Sequence, residues 1–159
     1  MKKTILPIIT LLCLALPVFS GERTFVPPSS KDKCAVCGMF AAKYPNWACE
    51  VLFRDKTYAV FDGPKDLFVY ISDLKKYTPA RRREDIQSVF VVDYYTVRPI
   101  NAFTAYYVIG SDVTGPMGRE LVPFEKETDA HEFMKDHQGQ KVLRFGDVGA
   151  AVLMLLEAP

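Results

Sequence analysis

The chain has 159 residues, a formal net charge of +1, 49% apolar residues and 13% aromatics. That supports one ordinary domain or two very small ones packed together, and it excludes a chain too polar to build a core. The near-neutral balance, which falls to −1 once Lys2 and Lys3 are removed, leaves no global basic field for nucleic acid.

Lys2 and Lys3 precede an apolar run over residues 5–16, and Pro17-Val18-Phe19-Ser20 follows it. This pattern predicts a secretory signal peptide over residues 1–20, cut after Ser20, because the apolar core is shorter than the roughly 20 residues a spanning helix needs. Cys13 sits behind Leu11 and Leu12 inside the apolar core, not at its end, so a lipid anchor is not expected. An uncleaved signal would instead hold the protein to the inner membrane.

Residues 21–33, with Pro27-Pro28-Ser29-Ser30, predict a flexible, extended arm. Residues 47–53 and 57–61 are apolar or β-branched runs separated by Arg54-Asp55-Lys56, the pattern of a hairpin. Asp62-Gly63-Pro64 stops the second strand. Asp62 or Gly63 can cap a helix that accepts Pro64 in its first turn and repeats Leu67, Phe68, Ile71 and Leu74 along one face. Residues 77–85 carry Arg81-Arg82-Arg83 beside Glu84 and Asp85 and read as a solvated linker.

Strands are expected over residues 88–95 and 105–109, with Pro99 marking the break between them. A loop over 110–118 holds Met117. A strand over 120–124, a helix over 128–137 with Ala130, Phe133 and Met134 inward, a strand over 141–145 and a short apolar helix over 147–156 complete the chain. Met134 and Met154 lie at helical spacing among aliphatic residues and read as core filler. The second half repeats the strand-pair-and-helix order of the first. The expected class is therefore α+β, with one unit over 34–80 and a second over 81–159.

The chemistry concentrates in Cys34-Ala35-Val36-Cys37-Gly38-Met39. Thiols favour Cu(I), zinc and iron–sulfur sites, and the thioether of Met39 moves the choice to Cu(I), because zinc rarely takes methionine. Met117, between Gly115-Pro116 and Gly118, is the natural third ligand. Cys34, Cys37 and Cys49 are an odd number for an oxidising compartment, so at least one thiol should be free.

Competing readings of these thiols stay open to different degrees. Cys34 and Cys37 can form a small disulfide when metal-free. A thioredoxin-like pair is disfavoured because Gly38 and Pro45 interrupt the helix it would start, and haem attachment is excluded because Gly38, not histidine, follows Cys37. A zinc site from Cys34, Cys37, Cys49 and one histidine matches no common spacing. His131 and His137, six residues apart, read as surface or capping residues.

Together these residues resemble the NosL family, copper-binding accessory proteins of nitrous oxide reductase. The resemblance rests on Cys34-Ala35-Val36-Cys37-Gly38-Met39 with Tyr44-Pro45, Phe61-Asp62 ahead of Asp66-Leu67-Phe68, Tyr107-Val108-Ile109-Gly110-Ser111, Gly115-Pro116-Met117-Gly118, and His137 with Val142-Leu143-Arg144-Phe145. It implies two ββαβ units side by side, similar to the organomercurial lyase fold. It also implies a periplasmic Cu(I) chaperone, not an enzyme, that delivers copper for the copper–sulfide centre of nitrous oxide reductase. Its partners would be that enzyme, its maturation transporter complex, or both, with membrane association only through an uncleaved signal or a partner. The family motif maps Cys37, Met39 and Met117 onto the metal site and leaves Cys34 unassigned.

The chain departs from the family pattern twice: it has no lipid-anchoring cysteine at the end of the signal, and Cys49 is an addition whose pairing with Cys34 or Cys37 is open. The alternative class is an enzyme, either a thiol–disulfide catalyst or an organomercurial-lyase-like one, using Cys34 and Cys37. The lyase-like reading needs an acid such as Asp62 near the thiols.

Overall fold

Cys49–Phe53 (β1) is buried at every position, as a central strand covered on both faces must be. It pairs antiparallel with Tyr58–Phe61 (β2) on one edge and Ile86–Val92 (β3) on the other, and Pro99–Asn101 (β4) closes the sheet in the order β2-β1-β3-β4. The computed structural model describes residues 24–157, so the signal segment and the start of the arm lie outside the described residues. Pro99, expected only as a break, opens an edge strand, where its missing N–H is tolerated.

The second sheet has Tyr106–Ile109 (β5) at its centre, flanked by partners from later in the chain. Thr114–Gly115 (β6) and Gly118–Arg119 (β7) form a separate ribbon with Pro116 and Met117 at its tip, and Val122–Phe124 (β8) and Lys141–Arg144 (β9) flank β5. Side chains alternate across β5: Tyr107 and Ile109 face one core cluster and Val108 faces another, with Val122, Phe124, Ala130 and Phe133.

The helices follow the predicted periodicities. Pro64–Ser72 (α1) starts with proline in its first turn and buries Leu67, Phe68 and Ile71; Leu74–Tyr77 (α2) adds Leu74. Glu127–Asp136 (α3) buries Ala130 and Phe133, with Met134 half-buried against them. Ala150–Glu157 (α4) ends the described chain and buries Leu153 and Leu156. Among the described residues, none of the helices is long and apolar enough to cross a membrane.

The structure is α+β, and each sheet contains a strand–strand–helix–strand run: β1, β2, α1, β3 in the first and β5, β8, α3, β9 in the second. The strands of the first sheet are not confined to residues 34–80. β3 and β4 lie beyond residue 80 yet hydrogen-bond into the first sheet, because β1 offers β3 a free edge and a core that takes Val89 and Val91. Two further expectations change. The described part of the arm is held, not loose: the Phe25 ring meets Phe90 edge-on at 6.1 Å and the Val26 N–H donates to Glu50 Oε2 at 3.2 Å. Met154, expected as core filler, is 67% exposed, because α4 reaches the core only through Leu153 and Leu156.

One core spans both sheets. Phe68 of α1 packs against Tyr107 of β5, with ring centres 5.1 Å apart, and against Phe145 at 4.9 Å. Aromatic contacts of this kind add about 0.5–1.5 kcal/mol each beyond the area they bury. The Tyr107 hydroxyl is satisfied in this dry setting by donating to the Ala102 carbonyl at 2.7 Å.

Candidate metal centre

The sulfur loop is closed by its own backbone. The Cys34 N–H donates to the Met39 carbonyl at 2.7 Å and the Gly38 N–H to the Cys34 carbonyl at 3.0 Å. Gly38 turns with φ +80°, a left-handed conformation that a side chain disfavours. The Ala35 N–H then donates to the Val60 carbonyl at 3.0 Å, which docks the loop on β2 just before that strand runs into α1.

That docking brings two carboxylates to the sulfurs. Asp62 follows β2, and Asp66 lies in the first turn of α1, where the helix dipole favours a carboxylate. Cys34 Sγ donates to Asp66 Oδ2 at 3.1 Å and Cys37 Sγ to Asp62 Oδ1 at 3.3 Å. One ligand atom from each of the four residues lies within 4.8 Å of the other three. Asp62 is fully buried, and its second oxygen has no hydrogen-bond partner among the described residues.

Burial dominates the electrostatics here. It pushes the Cys34 thiol far up, lifts Cys37 to about 11 and raises Asp66 above the ordinary carboxylate range. Both thiols therefore keep their protons near neutral pH, and a metal must displace them. Cys34 is buried whereas Cys37 is partly exposed, so Cys37 is the sulfur an incoming ion or partner meets.

A second set of contacts braces the centre. Gly63 contributes no side chain to cap α1; instead Glu120 Oε1 accepts the Lys65 N–H, and also the Leu121 N–H at 2.9 Å. Burial lifts the Glu120 carboxyl to about 8. Glu120 sits between two glycines: a Cβ at Gly115 would stand 2.8 Å from Glu120 Cγ, and one at Gly63 would run into its Oε2. Lys65 Nζ donates to the Met117 carbonyl at 3.0 Å and lies 3.4 Å from Glu157. The β6–β7 tip is thus tied to the residue next to Asp66.

Cys37 lies in the four-residue cluster, and Met39 lies two residues further on the same loop, its Sδ accepting the Tyr44 hydroxyl at 3.9 Å. Met117, at the ribbon tip, is 44% exposed. Cys34, unassigned from sequence, joins Cys37 in the cluster. Nothing in the sequence analysis points to Asp66 as a site residue, and Asp62 figures there as a helix cap and as the acid of the enzyme alternative. Cys34, Cys37 and Cys49 are all free thiols, and Cys49 is buried in β1, donating to the Trp47 carbonyl at 3.2 Å. The two histidines sit on and after α3, with His137 against Asp112 at 3.0 Å and stacked on Phe133. The alternative zinc set is therefore not assembled.

The comparisons with known proteins converge. The chain is 30% identical over 141 residues to the copper-binding lipoprotein NosL of Stutzerimonas stutzeri, a match covering 77% of this chain and 64% of that protein. It thus spans less than two thirds of that relative's length. The crystal structure of the copper chaperone NosL from Shewanella denitrificans superposes with a TM-score of 0.68 at 27% identity, covering 81% of this chain and 97% of the other. Asp62 does stand beside Cys37 as the enzyme alternative required, yet both relatives are named for binding or carrying copper and neither for a reaction. The NosL family model matches residues 26–153, which take in both sheets, the sulfur loop and the Met117 ribbon, and the chain belongs to the NosL family.

Proposed function

We propose that this protein is a Cu(I) carrier, not an enzyme, that works on the periplasmic side of the inner membrane and delivers copper for the copper–sulfide centre of nitrous oxide reductase. The observation that carries the reading is the partly exposed Cys37 thiol on a closed loop that also presents Met39, with Met117 tied at the neighbouring ribbon tip through Lys65. Thiolate and thioether are soft donors that suit Cu(I), and thioethers do not form disulfides in an oxidising compartment. Cu(I) displaces the Cys37 proton and takes Cys37, Met39 and Met117 as ligands. Three sulfurs leave one side open, so a ligand from the acceptor can attack and the ion moves by exchange. The acceptor is nitrous oxide reductase or the transporter complex that matures it. Names carried by the relatives, copper-binding lipoprotein and copper chaperone, support both the cargo and the location.

Competition with a coloured Cu(I) chelator under reducing conditions tests the binding. One Cu(I) per chain is expected, with Cys37→Ser abolishing tight binding and Cys49→Ser leaving it intact. Equal loss in the two variants would move the seat into the core and defeat the proposal. In cells, removal of the chain is expected to leave nitrous oxide reductase short of its copper–sulfide centre.

A further inference from the structure

The run Arg81-Arg82-Arg83 reads as a solvated linker and has no part in holding copper, yet the fold gathers other charges around it. Arg81 Nη2 lies 2.7 Å from Asp55 Oδ2 and donates to Thr57 Oγ1 at 2.8 Å, and its guanidinium stands 4.7 Å from the centre of the Phe53 ring. Arg54 Nε donates to the Glu84 carbonyl at 2.8 Å and Arg83 Nη2 to the Ile71 carbonyl at 3.2 Å. These contacts bring the β1–β2 turn, α2 and the linker to one end of the molecule. Residues 54–57 and 73–85, which make up that end, hold seven lysines and arginines against four acids, a net charge of +3 in a chain that carries −1 once Lys2 and Lys3 are removed.

We propose that this basic end is a docking face for an anionic lipid surface, the phosphate headgroups of a bilayer, and that it meets them with the sulfur loop turned away. Three of its acids face the chain's own groups: Asp55 accepts from Arg81 and Thr57, Asp73 from the Lys76 N–H and Asp85 from the Arg82 N–H. Lys75, Lys76, Arg82 and Arg83 are exposed. They belong to a short helix and a linker beside a turn, a spread that suits a continuous sheet of negative charge and not a single bound anion, and clusters of this size recognise anionic headgroups. Tyr58, exposed at the edge of the turn, is of the amphipathic aromatic type enriched where protein meets a bilayer interface.

The position of this end completes the argument. β2 runs from the turn to Asp62, and α1 runs back from Pro64 to Ser72, roughly 13 Å at 1.5 Å per residue. The sulfur loop docks at Val60 and meets Asp66 in the first turn of α1, so it occupies the opposite end of the same strand and helix. A bilayer against the basic end therefore leaves the metal centre open to an acceptor. Only this outward orientation draws its purpose from the carrier reading; the lipid binding does not depend on it.

Sedimentation of the reduced, metal-free mature protein with vesicles tests the face. Binding is expected on phosphatidylglycerol mixed with phosphatidylcholine and not on phosphatidylcholine alone, with release at about 1 M salt, where screening shortens to about 3 Å. Lys75→Glu, Lys76→Glu and Arg82→Glu combined should lower the partition coefficient at least about tenfold. Lys126→Glu, Lys135→Glu and Lys141→Glu combined, the same change of net charge at exposed positions elsewhere, should lower it far less. Amine labelling of the wild type, which needs no variant to fold, should find Lys75 and Lys76 protected on the vesicles and Lys126 and Lys135 not. Equal binding to the two lipids, equal loss in the two triple variants, no protection at Lys75 and Lys76, or displacement by inorganic phosphate at constant ionic strength overturns the proposal. Vesicle-bound protein should yield Cu(I) to a chelator as fast as free protein, and slower exchange would put the sulfur loop against the lipid and overturn the orientation. If the protein binds no Cu(I) while Lys75 and Lys76 stay protected, the carrier reading fails and the lipid face stands.

Discussion

Cys34 and Cys37 are three residues apart and carry different burdens: Cys34 is 3% exposed against Asp66, while Cys37 meets both Asp62 and the surface. On the proposed carrier reading, that difference makes Cys37→Ser the substitution expected to end tight Cu(I) binding. The methionines test ligand against filler. Leucine keeps the volume and apolarity of methionine and costs less than about 1.5 kcal/mol even in a core, so Met39→Leu and Met117→Leu should melt near the wild type when metal-free. Both should weaken Cu(I) binding in chelator competition, because the sulfur is gone. Met134→Leu, half-buried on α3, serves as the control and should change neither property. Retention of full Cu(I) affinity by both site variants would reduce the seat to the thiols.

At the level of the element, α1 begins under an unusual cap. A carboxylate 55 residues away, Glu120, takes the Lys65 N–H that Gly63 has no side chain to satisfy. Glu120→Ala leaves two buried N–H groups, those of Lys65 and Leu121, without an acceptor, at a cost of about 1–3 kcal/mol for each group so orphaned. It should also loosen the ribbon that carries Met117. Its titration gives a pH signature. The folded state holds the Glu120 proton up to about pH 8, while an ordinary glutamate carboxyl, with a pKa of 4.5, releases it earlier on unfolding, so the folded form binds more protons between these values. Stability should therefore fall as pH rises from about 4.5 to about 8. Thermal melts of the metal-free protein should show that decline. Glu120→Gln, which keeps a carbonyl acceptor for α1, should flatten it without abolishing it, because Asp66 is shifted in the same direction. An unchanged slope in Glu120→Gln would assign the pH dependence elsewhere.

On the scale of the whole molecule, the two sheets share a core through Phe68, Tyr107 and Phe145. The second cluster, around Phe124 and Phe133, meets the first across β5, whose alternate residues belong to each. Heat or urea should therefore unfold the described chain in one transition. Phe68→Ala should lower stability by about 3–5 kcal/mol, the usual cost of emptying a buried aromatic site. Far-UV and near-UV signals should shift together in that variant, and two separate transitions would show that the sheets are independent units.

Local order and donor chemistry were legible in the residues themselves. The hairpin across Arg54-Asp55-Lys56, the start of α1 at Pro64, the apolar face of Leu67, Phe68 and Ile71, and the soft-donor run Cys34 to Met39 all follow from spacing and side-chain type, which the chain carries at short range. Partnerships across long separations were not. β3 reads as a strand from its composition, but only the free edge of β1 decides that it joins the first sheet and not the second. Met154 and Phe25 have ordinary core or arm spacing, and their exposure and packing depend on what α4 and Phe90 offer them. The same holds at the metal centre. Asp62 and Asp66 are 25 and 32 residues from the thiols they meet, Asp62 just ahead of α1 and Asp66 in its first turn; the bond from Ala35 to Val60 on β2 is what sets the sulfurs against them. Residue type therefore determined which atoms can bind a soft metal, while the docking of loop on strand decided which oxygens stand beside those sulfurs, because that distance is set by tertiary packing and by no local rule of spacing.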